Sequence, residues 1–153
     1  VYSRQEASKL RQEFWTRFGH YVAPLPSADG LKINWINYKT GFDDVTFKMD
    51  VANNHAFIGI VLSHGDEDIR ELYFEQFRQL AHLLHEEVAE QWIWELNARD
   101  HDGKMTSRIY MQLDNVTIFR REDWAQLISF FKLRIIALDR FWDTAKYAFE
   151  SLR

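Results

Sequence analysis

Between residues 56 and 96 the hydrophobic pattern takes three forms in turn, and the rest of the chain is arranged around them. Ala56-Phe-Ile-Gly-Ile-Val-Leu62 is apolar without alternation. That is the pattern of a strand covered on both faces or paired on both edges, over 56–63. His64-Gly65-Asp66 breaks the run with turn residues, and Asp66 is placed to cap a helix. Ile69, Leu72, Tyr73, Phe77, Leu80, Leu84 and Val88 then recur at three and four, predicting one amphipathic helix over 69–88. Its stripe leaves Phe74 at the edge, partly exposed, and Arg70, His82 and Glu86 off it. Trp92, Trp94 and Leu96 alternate as a strand over 92–96. Asp102-Gly103 is a hairpin signal. A two-residue turn there sets Trp94 opposite Met111, Leu96 opposite Ile109 and Asn97 opposite Arg108.

The flanks repeat the two periods. Ser3 to Glu6 has capping-box spacing, and Ala7, Leu10, Phe14 and Phe18 trace a first helix. Residues 24–30 are turn-rich. Leu31, Ile33 and Trp35 alternate with Lys32 and Asn34, predicting a half-buried strand over 31–38. Val45, Phe47, Met49 and Val51 alternate most clearly, and Asn53-Asn54 turns into the apolar strand. These three strands are expected to form an antiparallel meander. Residues 105–111 return from the hairpin, 113–119 are extended, and Trp124, Leu127, Phe131, Leu138, Trp142 and Phe149 mark a last helix over 124–149. The order α-β-β-β-α-β-β-α predicts one α+β domain over residues 1–153, its mainly antiparallel sheet packed with three helices.

Composition narrows the classes. The chain is 16% aromatic and has no cysteine, which excludes a disordered segment, a disulfide framework and thiolate chemistry. No apolar run approaches the roughly 20 residues of a membrane span, and no signal-peptide pattern opens the chain. A cytoplasmic protein without membrane contact is expected. The net charge of −4 gives no global footprint for nucleic acid and leaves a local basic patch open.

From Ala56 onward the pattern resembles the bacterial domain of unknown function 4268 family. The resemblance rests on the strand, turn and long charged helix, then on Trp94-Glu95, Ser107-Arg108-Ile109 and Glu122-Asp123-Trp124. The preceding helix and meander fit its small stand-alone members. The family has no established activity. The resemblance implies a nucleic-acid context, because larger members often carry the domain beside nuclease-like modules. Many members have an acidic residue in the strand matching residues 56–62; this strand has none, so no catalytic residue carries over.

Helix, three strands, helix, strand is also the order of the restriction-endonuclease core. That chemistry needs carboxylates on two adjacent strands to hold Mg²⁺. Asp44 and Asp50 flank the polar face of one strand, and the next strand offers none. His82 and His85, with Glu86, have a ligand spacing but fall off the apolar stripe, as surface residues do. Ser63-His64 lacks the nucleophile-elbow pattern. No catalytic residue, metal or cofactor is expected. Arg108 is a phosphate-binding candidate whose ordinary role is an ion pair with Glu95. Trp94 and Trp35 are candidates for stacking or for lining a pocket, and their ordinary role is core. Leu133, Ile136 and Tyr147 project opposite the main stripe of the last helix, and with Phe74 they predict a homodimer surface. Three function classes follow: a non-enzymatic interaction module, which self-associates; a nucleic-acid-associated domain with a degenerate nuclease-like core; and a small-ligand binder.

Overall fold

The computed structural model describes residues 2–153. Helix α1 (Arg4–Val22) opens with the expected capping box: the Glu6 amide donates to Ser3 Oγ, and the Glu6 carboxylate accepts from the Ser3 amide. Strands β1 (Val45–Val51) and β2 (His55–Leu62) form a hairpin. Asp66 caps α2 (Glu67–Gln79) by accepting from the Ile69 amide. Helix α3 (Ala81–Val88), strands β3 (Ile93–Arg99) and β4 (Met105–Asp114), and helix α4 (Trp124–Ala145) complete the order. A short 3-10 turn precedes α4, and a longer one, Lys146–Leu152, follows it. The fold is α+β with one four-stranded antiparallel sheet in the order β1-β2-β4-β3.

Three elements differ from expectation. Residues 31–38 are not a strand, so the meander has two strands and the helix–three strands–helix–strand order is absent. The reason is local: the Asn34 carboxamide oxygen accepts from the Ile36 and Asn37 amides and turns the backbone. The whole segment 23–44 is irregular and is tied down instead. Asp139 on α4 accepts from the Ala28 amide and the Tyr38 hydroxyl, Trp142 donates its indole N–H to the Thr40 carbonyl, and Trp35 donates its own to Leu25. The long helix over 69–88 breaks at Leu80, whose backbone leaves the helical region (φ −103°, ψ 13°). Helix α2 packs on the sheet and α3 on α4, so the break lets one apolar stripe serve two layers.

The third difference is the β3–β4 register. The connection is a three-residue loop, His101 to Gly103, closed by the Asp100 amide on the Lys104 carbonyl, with Gly103 at φ 79°. That is the turn-plus-left-handed-glycine form of hairpin. A bulge follows between Glu95 and Ala98, with Asn97 at φ 50°. Each event shifts the pairing by one residue. Trp94 therefore lies opposite Ile109, Glu95 is directly opposite Arg108, and Leu96 leaves the ladder exposed. The two shifts together restore the faces.

The bulge explains why α2 is rotated from its expected face. Arg70 is buried at 3% exposure and donates Nε–H to Asn97 Oδ1 and Nη1–H to the His64 carbonyl. The Asn97 amide donates to buried Ser107 Oγ. With Arg70 inside, Phe74 turns inward to 2% exposure, edge-on to Trp94, while Ile69 and Leu72 turn out.

The core lies between one face of the sheet and the helices. The rows Val45–Leu62–Ser107, Phe47–Ile60–Ile109–Trp94, Met49–Ile58–Met111 and Val51–Ala56–Leu113 point into it. Phe77, Phe141, Trp142 and Phe149 meet them from α2, α4 and the final turn, and Phe14 and Phe18 of α1 pack on Phe131. Among the described residues no helix is long and apolar enough to cross a membrane.

Candidate functional site

The helices occupy one face of the sheet and leave the other open. β2 is thus a central strand, apolar because it is paired on both edges. Cross-strand pairing orders the open face into rows. One row reads Thr46, Val61, Arg108, Glu95; the next reads Lys48, Gly59, Tyr110, Ile93; a third reads Asp50, Phe57, Gln112. A broad depression of about 730 Å³ runs over this face.

Gly59 sets the centre. The Phe57 and Tyr110 rings stack at 5.1 Å across it. A Cβ at Gly59 would stand 2.6 Å from Tyr110 Cβ and 2.9 Å from Phe57 Cζ. Only a residue without a side chain leaves room for the ring pair. Above it the Arg108 guanidinium lies 4.4 Å from the Tyr110 ring centre and 5.3 Å from that of Phe57. Arg108 Nε donates to Glu95 Oε1 at 2.8 Å, both side chains being about one-third exposed. A guanidinium held by two rings and one carboxylate presents a fixed plane and its remaining N–H donors to solvent.

Charge around the depression leans positive. Arg11, Lys48, Arg99 and Arg108 line it against Asp50 and Asp100, with His55 and His101 alongside. Arg11 donates to the Val51 carbonyl and Arg99 to that of Gly103, which orders them without neutralising them. The backbone amide of Lys104, and then that of Asp102, donate to the Asp100 carboxylate and hold it below the usual carboxylate range.

Family comparison adds one finding. The family described as Domain of unknown function (DUF4268) matches residues 10–146. The chain belongs to that family. The match takes in nearly the whole of this DUF4268 fold, from within α1 to the end of α4. No curated protein and no solved structure matches the chain.

The structure brings two of the four binding candidates together on the open face of this DUF4268 domain, Arg108 and Glu95. Trp94 points to the opposite face, and Trp35 is core at 2% exposure. The four residues expected to form a self-association patch differ in exposure. Phe74 is buried, and Ile136 is half-buried against the core. Leu133 and Tyr147 are exposed, but their spacing along the chain corresponds to about 20 Å at helical rise. Phe57, Gly59, Tyr110 and Lys48 were missed by sequence reasoning. The available signal was Gly59 itself, a glycine inside a strand, which marks a close approach. Among the described residues no group of three or more His, Asp and Glu side chains is placed to hold a metal ion.

Proposed function

We propose that this domain is a non-enzymatic binding module that holds a single-stranded nucleic acid on the open face of its sheet. The observation that carries the reading is Arg108 fixed over the Phe57–Tyr110 pair, at the centre of a face whose other cations, Arg11, Lys48 and Arg99, have no carboxylate within ion-pair distance among the described residues. Unpaired bases stack on aromatic rings and guanidinium planes, and a positive groove tracks the phosphates. Lys48, Arg11 and Arg99 surround the stack as phosphate contacts. A duplex presents no base face to such a platform, so single strands are preferred. The net charge of −4 confines the attraction to this face and keeps it salt-sensitive.

Fluorescence anisotropy with a labelled oligothymidylate, its RNA counterpart and a duplex tests the proposal. Binding to the single strands is expected to weaken steeply between about 50 mM and 200 mM salt. Arg108→Ala and Phe57→Ala should each weaken it by about 1–3 kcal/mol, whereas Arg140→Ala, on α4, should leave it unchanged. No anisotropy change at the lower salt, or equal losses for Arg108→Ala and Arg140→Ala, sinks the reading.

A further inference from the structure

A second concavity, sharing no lining residue with the sheet face, lies where residues 27–40 cross the last turns of α4. It encloses about 320 Å³, at the small end of the roughly 300–1,000 Å³ of ligand pockets. Asp139, 5% exposed, forms its back wall: one carboxylate oxygen accepts from the Tyr38 hydroxyl at 2.6 Å and the other from the Ala28 amide at 2.7 Å. Burial, and then Asp139, push the Tyr38 hydroxyl far up, so it stays a donor. Each Asp139 oxygen keeps a further lone pair.

The charged groups beyond Asp139 are the unusual feature. Asp143 lies one helical turn on and Lys146 three residues further, both half-buried and both lining the cavity. Among the described residues Asp143 makes no hydrogen bond or ion pair, and neither Lys146 nor Lys39, on the loop wall, has a carboxylate within ion-pair distance; Asp29, the other charged lining residue, accepts from Ser27 and Leu31 and attracts Lys146 only at longer range. Half-burying Asp143 and Lys146 without a partner costs free energy that a ligand of opposite charge returns, and exposed Lys39 adds a free positive charge at the rim. Both signs are present in one small space, so a simple anion or a simple cation would satisfy only half of the lining.

We propose that this cavity binds a small zwitterion of amino-acid size. Its ammonium lies against Asp143 and the outward lone pairs of Asp139, and its carboxylate against Lys146 and Lys39. The aromatic walls of Tyr38 and Trp142 limit the ligand to a short side chain. This site is independent of the nucleic-acid reading.

Calorimetric titration of the full chain with each common amino acid tests the site. For every amino acid that binds, the amine lacking its carboxylate and the acid lacking its ammonium are titrated as well. At least one amino acid is expected to bind with a Kd of about 1 mM or tighter, its two analogues about tenfold or more weaker. Asp143→Asn and Lys146→Met should each weaken binding about tenfold. Among the described residues these side chains make no hydrogen bond, so the fold is kept, and Lys39→Met provides a third variant on the exposed wall. Arg108→Ala should bind the amino acid as the unchanged protein does. The proposal is overturned if no amino acid reaches that affinity, if an analogue binds as tightly as its zwitterion, or if all three pocket variants bind normally.

Discussion

Gly59 decides more than its size indicates. It lies in the central strand, opposite Tyr110 on one side and Lys48 on the other. Adding one methyl there forces either Tyr110 Cβ or the Ile109 carbonyl, 2.9 Å away, to move, and neither is the far end of a flexible side chain. Gly59→Ala is expected to cost about 1–3 kcal/mol, as overpacking does, read from urea denaturation. If it also displaces Phe57 from Tyr110, oligonucleotide binding falls with it. Arg70 is the other residue whose role exceeds its type. The helical stripe puts it on the flank or far side, yet it is 3% exposed. The three-dimensional reason for burying it is the Asn97 bulge, whose carboxamide needs a donor in the core.

At the scale of elements, irregular segments are fastened by a few charged groups. Glu90, in the loop between α3 and β3, takes both Nε and Nη2 of Arg134 on α4, at 2.7 and 2.9 Å, and also accepts from the Trp92 indole. One carboxylate thus ties the α3–β3 loop to α4 and holds the Trp92 indole just ahead of β3. The pair is about one-quarter exposed, between the buried and solvated limits. Glu90→Ala should therefore destabilise the protein by about 1–2 kcal/mol, measured by the same denaturation. A loss under a few tenths would mean that apolar packing alone positions α3. Asp139 plays the corresponding part for residues 23–44.

For the whole molecule, one acid-sensitive group lies at the β2–α2 junction. The His64 ring packs on Tyr73 with centroids 4.2 Å apart, its Nδ1 is buried without a hydrogen-bond partner, and Nε2 is 3.9 Å from Asp44. Burial is the largest effect and lowers the His64 pKa below 6.5; Asp44 opposes it and Arg70 adds to it. The unfolded chain then binds a proton at higher pH than the folded one. The contribution of neutral His64 to stability is full above about pH 6.5, falls as pH drops through the unfolded value, and levels off once folded His64 is protonated. His64→Phe should flatten this part of the profile in denaturation runs between about pH 7.5 and 5.5. An unchanged slope would assign the acid loss to carboxylates instead.

What the sequence by itself determined was local. The capping box at Ser3, the Asp66 cap, the period-two run of β1 and the apolar run of β2 depend on neighbours within a few residues, and they formed as read. The family resemblance was legible in the same way, through short motifs. What only the tertiary structure decided was anything requiring a partner distant in the chain. Four strands, two helices and a 3-10 turn separate Tyr38 from the last helix, where Asp139 meets it 101 residues on. The alternation over 31–38 was real, but no strand lay beside it, and Asn34 turned the backbone first. The β3–β4 register depended on a left-handed Asn97 held by Arg70, 27 residues earlier. The open face was hidden for a related reason: a central strand between two neighbours is as apolar as one between two layers, so Phe57 and Val61 looked buried. Only the placement of every helix on one side of the sheet exposed them, and made Arg108 the centre of a surface rather than half of an ion pair.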